Sequence, residues 1–284
     1  MIRLLSSLLW LFACKFTLFS LINDGKIVLL HLTEEKQKMQ QPKIIHIDET
    51  DSTNSYLRKV ADGEEAPMLV VVADHQTAGR GQAGNHWESE QGKNLLFSIR
   101  IQPRTLAPSR QFLISMAISQ AIWQVLDPMA PGHIHVKWPN DIYYDDRKLC
   151  GILIENRLQG GELRECILGI GLNVNQTLFR SDAPNPVSLC QILGRTLALK
   201  PLLMQLLDAF GQQLHVMNTD AEQLVDAYRK HLYRRTGFHA YRDCKGYFEA
   251  ELVDVEPTGH LTLRDRKGGE RRYAFKEVSY IFIS

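Results

Sequence analysis

Charge of either sign is in no surplus here: 33 basic and 32 acidic side chains leave the 284-residue chain near neutral. No overall field draws it to nucleic acid or to an anionic membrane. Cysteine is scarce. The five (Cys14, Cys150, Cys166, Cys190, Cys244) are odd in number, widely spaced and free of any C-x-x-C, which excludes a disulfide framework and a cysteine zinc site and fits a reducing compartment. His133 and His135 would share a strand face, but without a nearby third ligand they read as ordinary strand residues. Repeats and low-complexity tracts are missing. A content of 44% hydrophobic and 23% charged residues suits one large globular domain and a small one beside it. A Walker-type phosphate loop is also absent, since "GKN" lacks the Ser or Thr that must follow its lysine and Trp87 stands where the earlier glycine belongs.

What is present begins with "GRGQAG" at Gly79 to Gly84, formally the dinucleotide fingerprint G-x-G-x-x-G. That fingerprint needs a strand leading in and a helix starting within the loop, so that helix amides meet a pyrophosphate. "MLVVVAD" at Met68 to Asp74 supplies the strand. The helix fails to follow, because "NHWESEQGKN" is polar without helical periodicity and "LLFSIRI" reads as another strand. The loop still has chemistry. Three glycines let backbone amides approach an anion closely, and Arg80 adds a delocalised cation matched to phosphate oxygens.

Residues 1 to 38 stand apart: "MIRLLSSLLWLFACKFTLFSLI" is apolar after a basic start, and "LTEEKQKMQQ" is polar and linker-like. From Ile44 the pattern predicts a short strand "IIHI", a helix from about Asn54 to Ala61 capped by Ser52 or Thr53, and the two strands around the glycine loop. "SRQFLISMAISQAIWQVL" predicts a helix with Phe112, Met116, Ile122, Val125 and Leu126 near one face, covering a sheet. "IHVKW", "DIYY", a tight "DDRK" turn, "KLCGILIEN" and "ELRECILGIGLNV" then read as hairpin-connected strands rather than βαβ units. The fold class is therefore α+β, with a mixed, largely antiparallel sheet and flanking helices. Helical segments fill roughly Val187 to Tyr233, and beyond Gly237 short alternating strands between turn signals predict a small β-barrel. The domains read as an extension over 1–38, a main α+β domain over 39–235 and the barrel over 236–284.

Four stretches concentrate Gly, Lys, Asn and aromatics at strand ends and loops, where binding groups gather: "DSTN" at Asp51 to Asn54, "GRGQAGNHW", "KWPND" at Lys137 to Asp141, and "RKLCGILIE" at Arg147 to Glu155. In these residues the chain resembles the biotin protein ligases, which attach biotin to a carrier-domain lysine. The resemblance runs from about Ile44 to the C-terminus, with all four motifs in family order, then "GIGLNVN" at Gly169 to Asn175 and the small β-domain. It implies a class II synthetase-like biotin/lipoate ligase fold followed by an SH3-like barrel. It also implies ATP and Mg²⁺ as cofactors, biotin as substrate, and a biotin carboxyl carrier protein domain of a carboxylase as partner. Lys148 and Arg80 become the catalytic cations, stabilising charge where the biotin carboxylate meets the α-phosphate. Biotin falls to Ser52, Thr53, Asn54, Gln76, Arg80, Gly81, Gln82, Lys148 and Gly151, and the nucleotide to Gly79, Arg80, Trp87, Asn140 and Asn173. Asp141 becomes a candidate Mg²⁺ ligand. Without the resemblance, Lys148 reads as a solvated turn lysine and Asp141 as a turn residue after Pro139.

One departure is visible. Ligases that double as repressors carry several arginines in the glycine loop, whereas this loop has Gln82, Ala83 and Asn85 around the single Arg80, so weaker phosphate retention is expected. Those repressors also have an N-terminal winged helix, and the segment before Ile44 is too short and apolar for one. A monofunctional ligase without nucleic-acid binding is the expectation. The apolar N-terminus resembles a signal peptide or anchor, but Lys15 interrupts it, Phe12 spoils "LFAC" as a lipid-attachment site and no small-residue cleavage site follows. Met39 lies just ahead of the resemblance. Residues before it are expected to be an extension without catalytic role, on a cytoplasmic protein with no stable membrane association. A lipoate ligase or acyltransferase is the competing enzyme class, and a membrane-tethered, non-catalytic biotin binder the competing non-enzyme.

Overall fold

Apolar runs buried on both faces build the centre of the main sheet. The computed structural model describes residues 20–23, 26–29, 42–61, 63–64, 66–103, 105–180 and 185–282. Seven strands, β3 (Lys43–Thr50), β4 (Met68–Gln76), β5 (Leu95–Ile101), β6 (Ile134–Lys137), β7 (Asp141–Tyr144), β8 (Arg147–Gln159) and β9 (Glu162–Leu172), pair in the order β3-β4-β5-β9-β8-β7-β6. Only β3 and β4 run parallel, because helix α1 (Thr53–Val60) crosses over between them. The other pairs are antiparallel.

The two faces of this sheet carry different partners. Val70, Val72, Phe97, Ile99, Leu168 and Ile170 join the main core with α2 (Phe112–Leu126). The alternate residues Leu69, Val71 and Ile167 form a smaller cluster with Leu57 of α1. One expectation is corrected in α2. Instead of one buried face, every residue except Trp123, Gln124 and Val125 is buried, because α4 (Leu199–Thr219) and α5 (Ala221–Lys230) pack against it as well. A helix enclosed on all sides is apolar all round. The short α3 (Leu189–Leu193) opens this helical segment, with Ser188 and Gln191 in a reciprocal capping box.

The last part is a five-stranded antiparallel sheet of barrel-like character: β10 (His239–Asp243), β11 (Gly246–Val255), β12 (Leu261–Asp265), β13 (Glu270–Tyr273) and β14 (Ser279–Tyr280), in the order β13-β12-β11-β10-β14. It is not a detached module. Gln40–Ser284 forms one compact unit, in which Trp138 Nε1 donates to Gly259 O at 3.0 Å and Phe275 packs on Phe112 with ring centroids 5.7 Å apart. Met1–Met39 is a separate compact unit. Its described residues are the antiparallel strands β1 (Ser20–Asn23) and β2 (Lys26–Leu29). Phe12, Lys15 and Met39 lie outside the described residues. Among the described residues no helix is long and apolar enough to cross a membrane.

Candidate functional site

The start of α1 is built by side chains from other strands. Ser52 holds the N-cap position in extended conformation, yet its hydroxyl makes no capping bond. Gln76, at the end of β4, does that work: its side-chain oxygen accepts from Thr53 N–H at 2.8 Å and from the Thr53 hydroxyl at 3.0 Å. Ser98 of β5 donates its hydroxyl to Asn54 Oδ1 at 2.6 Å, with Thr53 Oγ1 2.7 Å away. Asn54 Nδ2 donates to Glu155 Oε2 at 2.8 Å. Ser52, Thr53 and Asn54 are all buried. Their fixed bonds leave the Ser52 hydroxyl and the Gln76 amide nitrogen unpartnered among the described residues.

Glycines clear the sheet face in front of them. Gly169 and Gly171 stand two apart on β9, hence on one face, and Gly151 of β8 is the register partner of Gly171. A Cβ on Gly169 would lie 2.4 Å from Asn54 Oδ1, so only glycine admits that side chain. A Cβ on Gly171 would lie 2.4 Å from Trp87 Cε2, and one on Gly151 2.8 Å from Trp87 Cζ3. The Trp87 indole thus lies flat on a glycine floor, half-buried, with its buried Nε1 unpartnered among the described residues. The order along the floor is Asn54 at Gly169, then Trp87 over Gly171 and Gly151.

The glycine loop folds over this floor without a helix after it. Gly81 N–H donates to Asn85 O at 2.6 Å and Trp87 N–H to Gly79 O at 2.9 Å, around one 3₁₀ turn at Gln82–Gly84. Two of its glycines are needed for different reasons. Gly79 passes so close to Trp87 that a Cβ would sit 2.6 Å from its carbonyl oxygen, whereas Gly84 has φ +85° in open space. Arg80 reaches Glu155 Oε2 at 3.2 Å through Nη2, and Arg58 reaches the same oxygen at 3.2 Å.

Charge gathers beside Gly151. Lys148 is not the solvated turn lysine that its sequence position suggests. It is half-buried in β8, with Nζ 2.9 Å from Asp141 Oδ1 and 5.7 Å from the Trp87 ring centroid. Lys137 lies over two aromatic rings, 4.7 Å from the Tyr280 centroid and 5.3 Å from that of Tyr143. Burial pushes its ammonium pKa down, against the opposing pull of Asp141. "KWPND" contains a cis Trp138–Pro139 bond, and the buried Asn140 that follows ties the start of β7 to β8 by donating Nδ2 to Ile152 O.

One cavity of about 840 Å³ collects most of these residues. Ser52, Thr53, Asn54, Gln76, Arg80, Gly81, Gln82, Trp87, Asn140, Asp141, Lys148 and Gly151 all line it. Gly79 and Asn173 do not. Gly79 is buried in the root of the loop, and Asn173 is buried with Nδ2 donating to Val187 O at 3.1 Å. Four basic side chains (Arg80, Lys137, Lys148, Lys276) face a single acid, Asp141, among the lining residues. Mg²⁺ does not fit at Asp141 on this donor set. A lone carboxylate already bridged to one ammonium and facing a second is a poor partner for a cation that seeks carboxylates and phosphate oxygens. Asp141 orients Lys148 instead.

Several lining or supporting residues are missed by the sequence reading. Glycine at two-residue spacing within a strand, as in Gly169 and Gly171, is the one signal that could have found the floor. Ser98 and the wall formed by Lys276, Val278, Ser279, Tyr280 and Phe282 have no local signature, because distant pairing brings them in.

A cleft with uncharged donors and acceptors at one end, a glycine floor and a cationic end can hold a neutral polar group at one end and an anion at the other. The profile of the biotin/lipoate A/B protein ligase family matches residues 46–173. The Bacillus subtilis bifunctional ligase/repressor BirA is 27% identical over 249 residues, spanning 84% of this chain and 74% of that protein. The biotin--[acetyl-CoA-carboxylase] ligase of Mycobacterium tuberculosis is 31% identical over 150 residues, or 51% of this chain and 54% of that one. In fold, the chain matches the Aquifex aeolicus biotin protein ligase solved with biotin and ATP at TM-score 0.70 and 23% identity, over 84% of this chain and 97% of that one. Over residues 46–173 the chain carries the pattern of the biotin/lipoate A/B protein ligase family, and the relatives and solved structures it resembles are biotin protein ligases.

Proposed function

We propose that this chain activates biotin with ATP and passes it to a lysine of a biotin carboxyl carrier protein domain. The biotin carboxylate attacks the α-phosphate, the bond to the β-phosphate oxygen breaks and pyrophosphate leaves. The carrier amine then attacks the acyl carbon of biotinyl-5′-adenylate, expelling AMP and losing a proton. The observation that carries this reading is the floor joining two unlike ends. Ser52, Thr53, Asn54 and Gln76 offer neutral hydrogen-bonding groups for the ureido ring, and the Trp87 indole, laid flat on Gly171 and Gly151, offers its open face to a flat bicycle. Lys148, held by Asp141, then stands where carboxylate and α-phosphate meet and lowers the repulsion between two anions. Arg80 and the amides of Gly81 and Gln82 serve the phosphate side, and Trp87 is placed to pack on a ring of either ligand.

Mg²⁺ enters in this reading with the ATP phosphates, which supply the oxygen ligands that Asp141 does not. Gly79 and Asn173 act from behind, shaping the loop and the strand end rather than touching nucleotide. ATP, reduced thiols and unmodified carrier domains occur together in the cytoplasm, which favours that compartment. The test measures pyrophosphate release from ATP and Mg²⁺ with biotin or with lipoate, followed by mass spectrometry of a carrier domain. Biotin-dependent release and a biotinylated carrier lysine are expected. Release with lipoate alone would move the chain to the lipoate branch, and release with neither would remove the reading.

A further inference from the structure

Glu155 closes the last of the four motifs but does not line the cavity, and nothing in the reaction above uses it. It nevertheless sits at a junction. On β8 it continues the line of Gly151 and Leu153, two and four residues on along one sheet face, so it lies just beyond the floor. Its Oε2 accepts from Asn54 Nδ2 at 2.8 Å and is 3.2 Å from Nη2 of both Arg80 and Arg58. One carboxylate oxygen therefore holds a residue of the neutral end and a residue of the phosphate loop.

The alternatives open to each partner show what this contact does. The buried Asn54 amide can be mounted in either of two orientations. With Nδ2 on Glu155, Oδ1 must face Ser98, and it takes the Ser98 hydroxyl at 2.6 Å. Its other acceptor, Leu153 O, lies at 3.4 Å and is a poor substitute. Arg80 stands on a loop of three glycines and has no other ion-pair partner among the described residues. Binding one edge of its guanidinium to a strand leaves its remaining N–H groups for the cavity, which Arg80 lines.

We propose that Glu155 is a positioning residue for biotin activation, fixing the Asn54 amide for biotin and backing Arg80 for ATP through one carboxylate. The inference rests on the ligase reading above. Asn54, Ser98, Thr53 and Gln76 extend the contact into a hydrogen-bonded chain, so a single strand side chain sets both halves of the site. Removing a supporting group of this kind typically lowers activity about 10- to 100-fold.

The test is a double-mutant cycle of Glu155→Gln and Arg80→Ala, read by the KM for ATP, the biotin Kd from calorimetry and the rate of tryptic cleavage after Arg80. Glu155→Gln should raise the ATP KM about tenfold, and this effect should vanish in the Arg80→Ala background. Its weakening of biotin binding should persist there, because it acts through Asn54. Cleavage after Arg80 should speed up several-fold in ligand-free Glu155→Gln, a readout that needs no activity. If that variant fails to fold, Glu155→Asp keeps the charge but withdraws it by one methylene and should show the same pattern more weakly. Additive effects on the ATP KM, or unchanged cleavage, would overturn the proposal. Wild-type protein inactive with biotin would instead sink the ligase reading, while the cleavage result would still decide whether Glu155 holds Arg80.

Discussion

Replacing Gly171 by alanine raises the cavity floor by one methyl group, and the surroundings decide what must yield. Gly171 pairs with Leu96 on one side and Gly151 on the other, so the strand is clamped by two ladders and cannot retreat. The new Cβ would lie 2.4 Å from Trp87 Cε2 and 2.6 Å from Nε1. Carbon atoms settle at roughly 3.5 to 4.0 Å, so the indole has to lift by about 1 to 1.5 Å. Overpacking of this kind costs about 1 to 3 kcal/mol, partly offset by the roughly 0.4 to 1 kcal/mol gained by restricting the unfolded chain. Net destabilisation should stay under about 2.6 kcal/mol, a fall in Tm of at most roughly 10 °C. A flat ligand packed on the indole meets a ring displaced by that methyl, without the unfolded-state compensation. At about 1.4 kcal/mol per decade its affinity should drop about 5- to 150-fold. Titration calorimetry with biotin and near-ultraviolet circular dichroism of the tryptophans measure the two effects. Wild-type biotin affinity in a folded Gly171→Ala protein would refute both the floor and the place assigned to biotin against Trp87.

Lys148→Ala should cut pyrophosphate release about 100- to 1,000-fold, the usual loss for one transition-state donor. Its stability cost should be only about 1 kcal/mol, because Lys137 still faces Asp141; normal release would remove Lys148 from the chemistry. Gln82→Arg should slow escape of the adenylate by one or two decades, since one charge-assisted hydrogen bond contributes about 1.5 to 3 kcal/mol; an unchanged rate in a trapping assay would show that Arg80 and the backbone suffice. Burial lowers the pKa of His231, which stacks on Trp123 with centroids 3.4 Å apart and contacts Gln120 Oε1 through Nδ1 at 2.8 Å. Between its lowered folded value and the unfolded value near 6.5, the unfolded chain binds more protons. This contribution to stability is therefore complete above about pH 6.5 and is lost as the pH falls below it. His231→Phe should flatten that part of a Tm-against-pH curve, and an unaltered slope would assign the acid sensitivity elsewhere.

Local pattern made the strands, the glycine loop and the helix starts readable, because each is dictated by neighbours in sequence. What the sequence could not disclose is set by contact at a distance. Ser52 has the position and chemistry of a cap, but a glutamine 24 residues further on at position 76 performs the capping. Asp141 follows a proline as turn residues do, yet register places it across from Gly151, within reach of Lys148. The burial of α2 on more than one face depends on two helices that come about 75 residues or more after it. Trp87 could be read as a core aromatic or a ligand platform. Only the pairing of β8 with β9 puts the glycines under its ring.

The cavity wall from Lys276 to Phe282 gives the order of synthesis a functional meaning. The glycine loop, the floor and Lys148 are all made before residue 172, whereas Val278, Ser279, Tyr280 and Phe282 come more than a hundred residues later. A nascent chain cut before Lys276 carries the polar residues for one ligand and Arg80 for the other, but its cleft stays open to water on one side. Lys137 also lacks one of the two rings over which it lies. Biotin activation should therefore switch on only once residues through Phe282 are in place, making it a direct reporter of chains cut short of them.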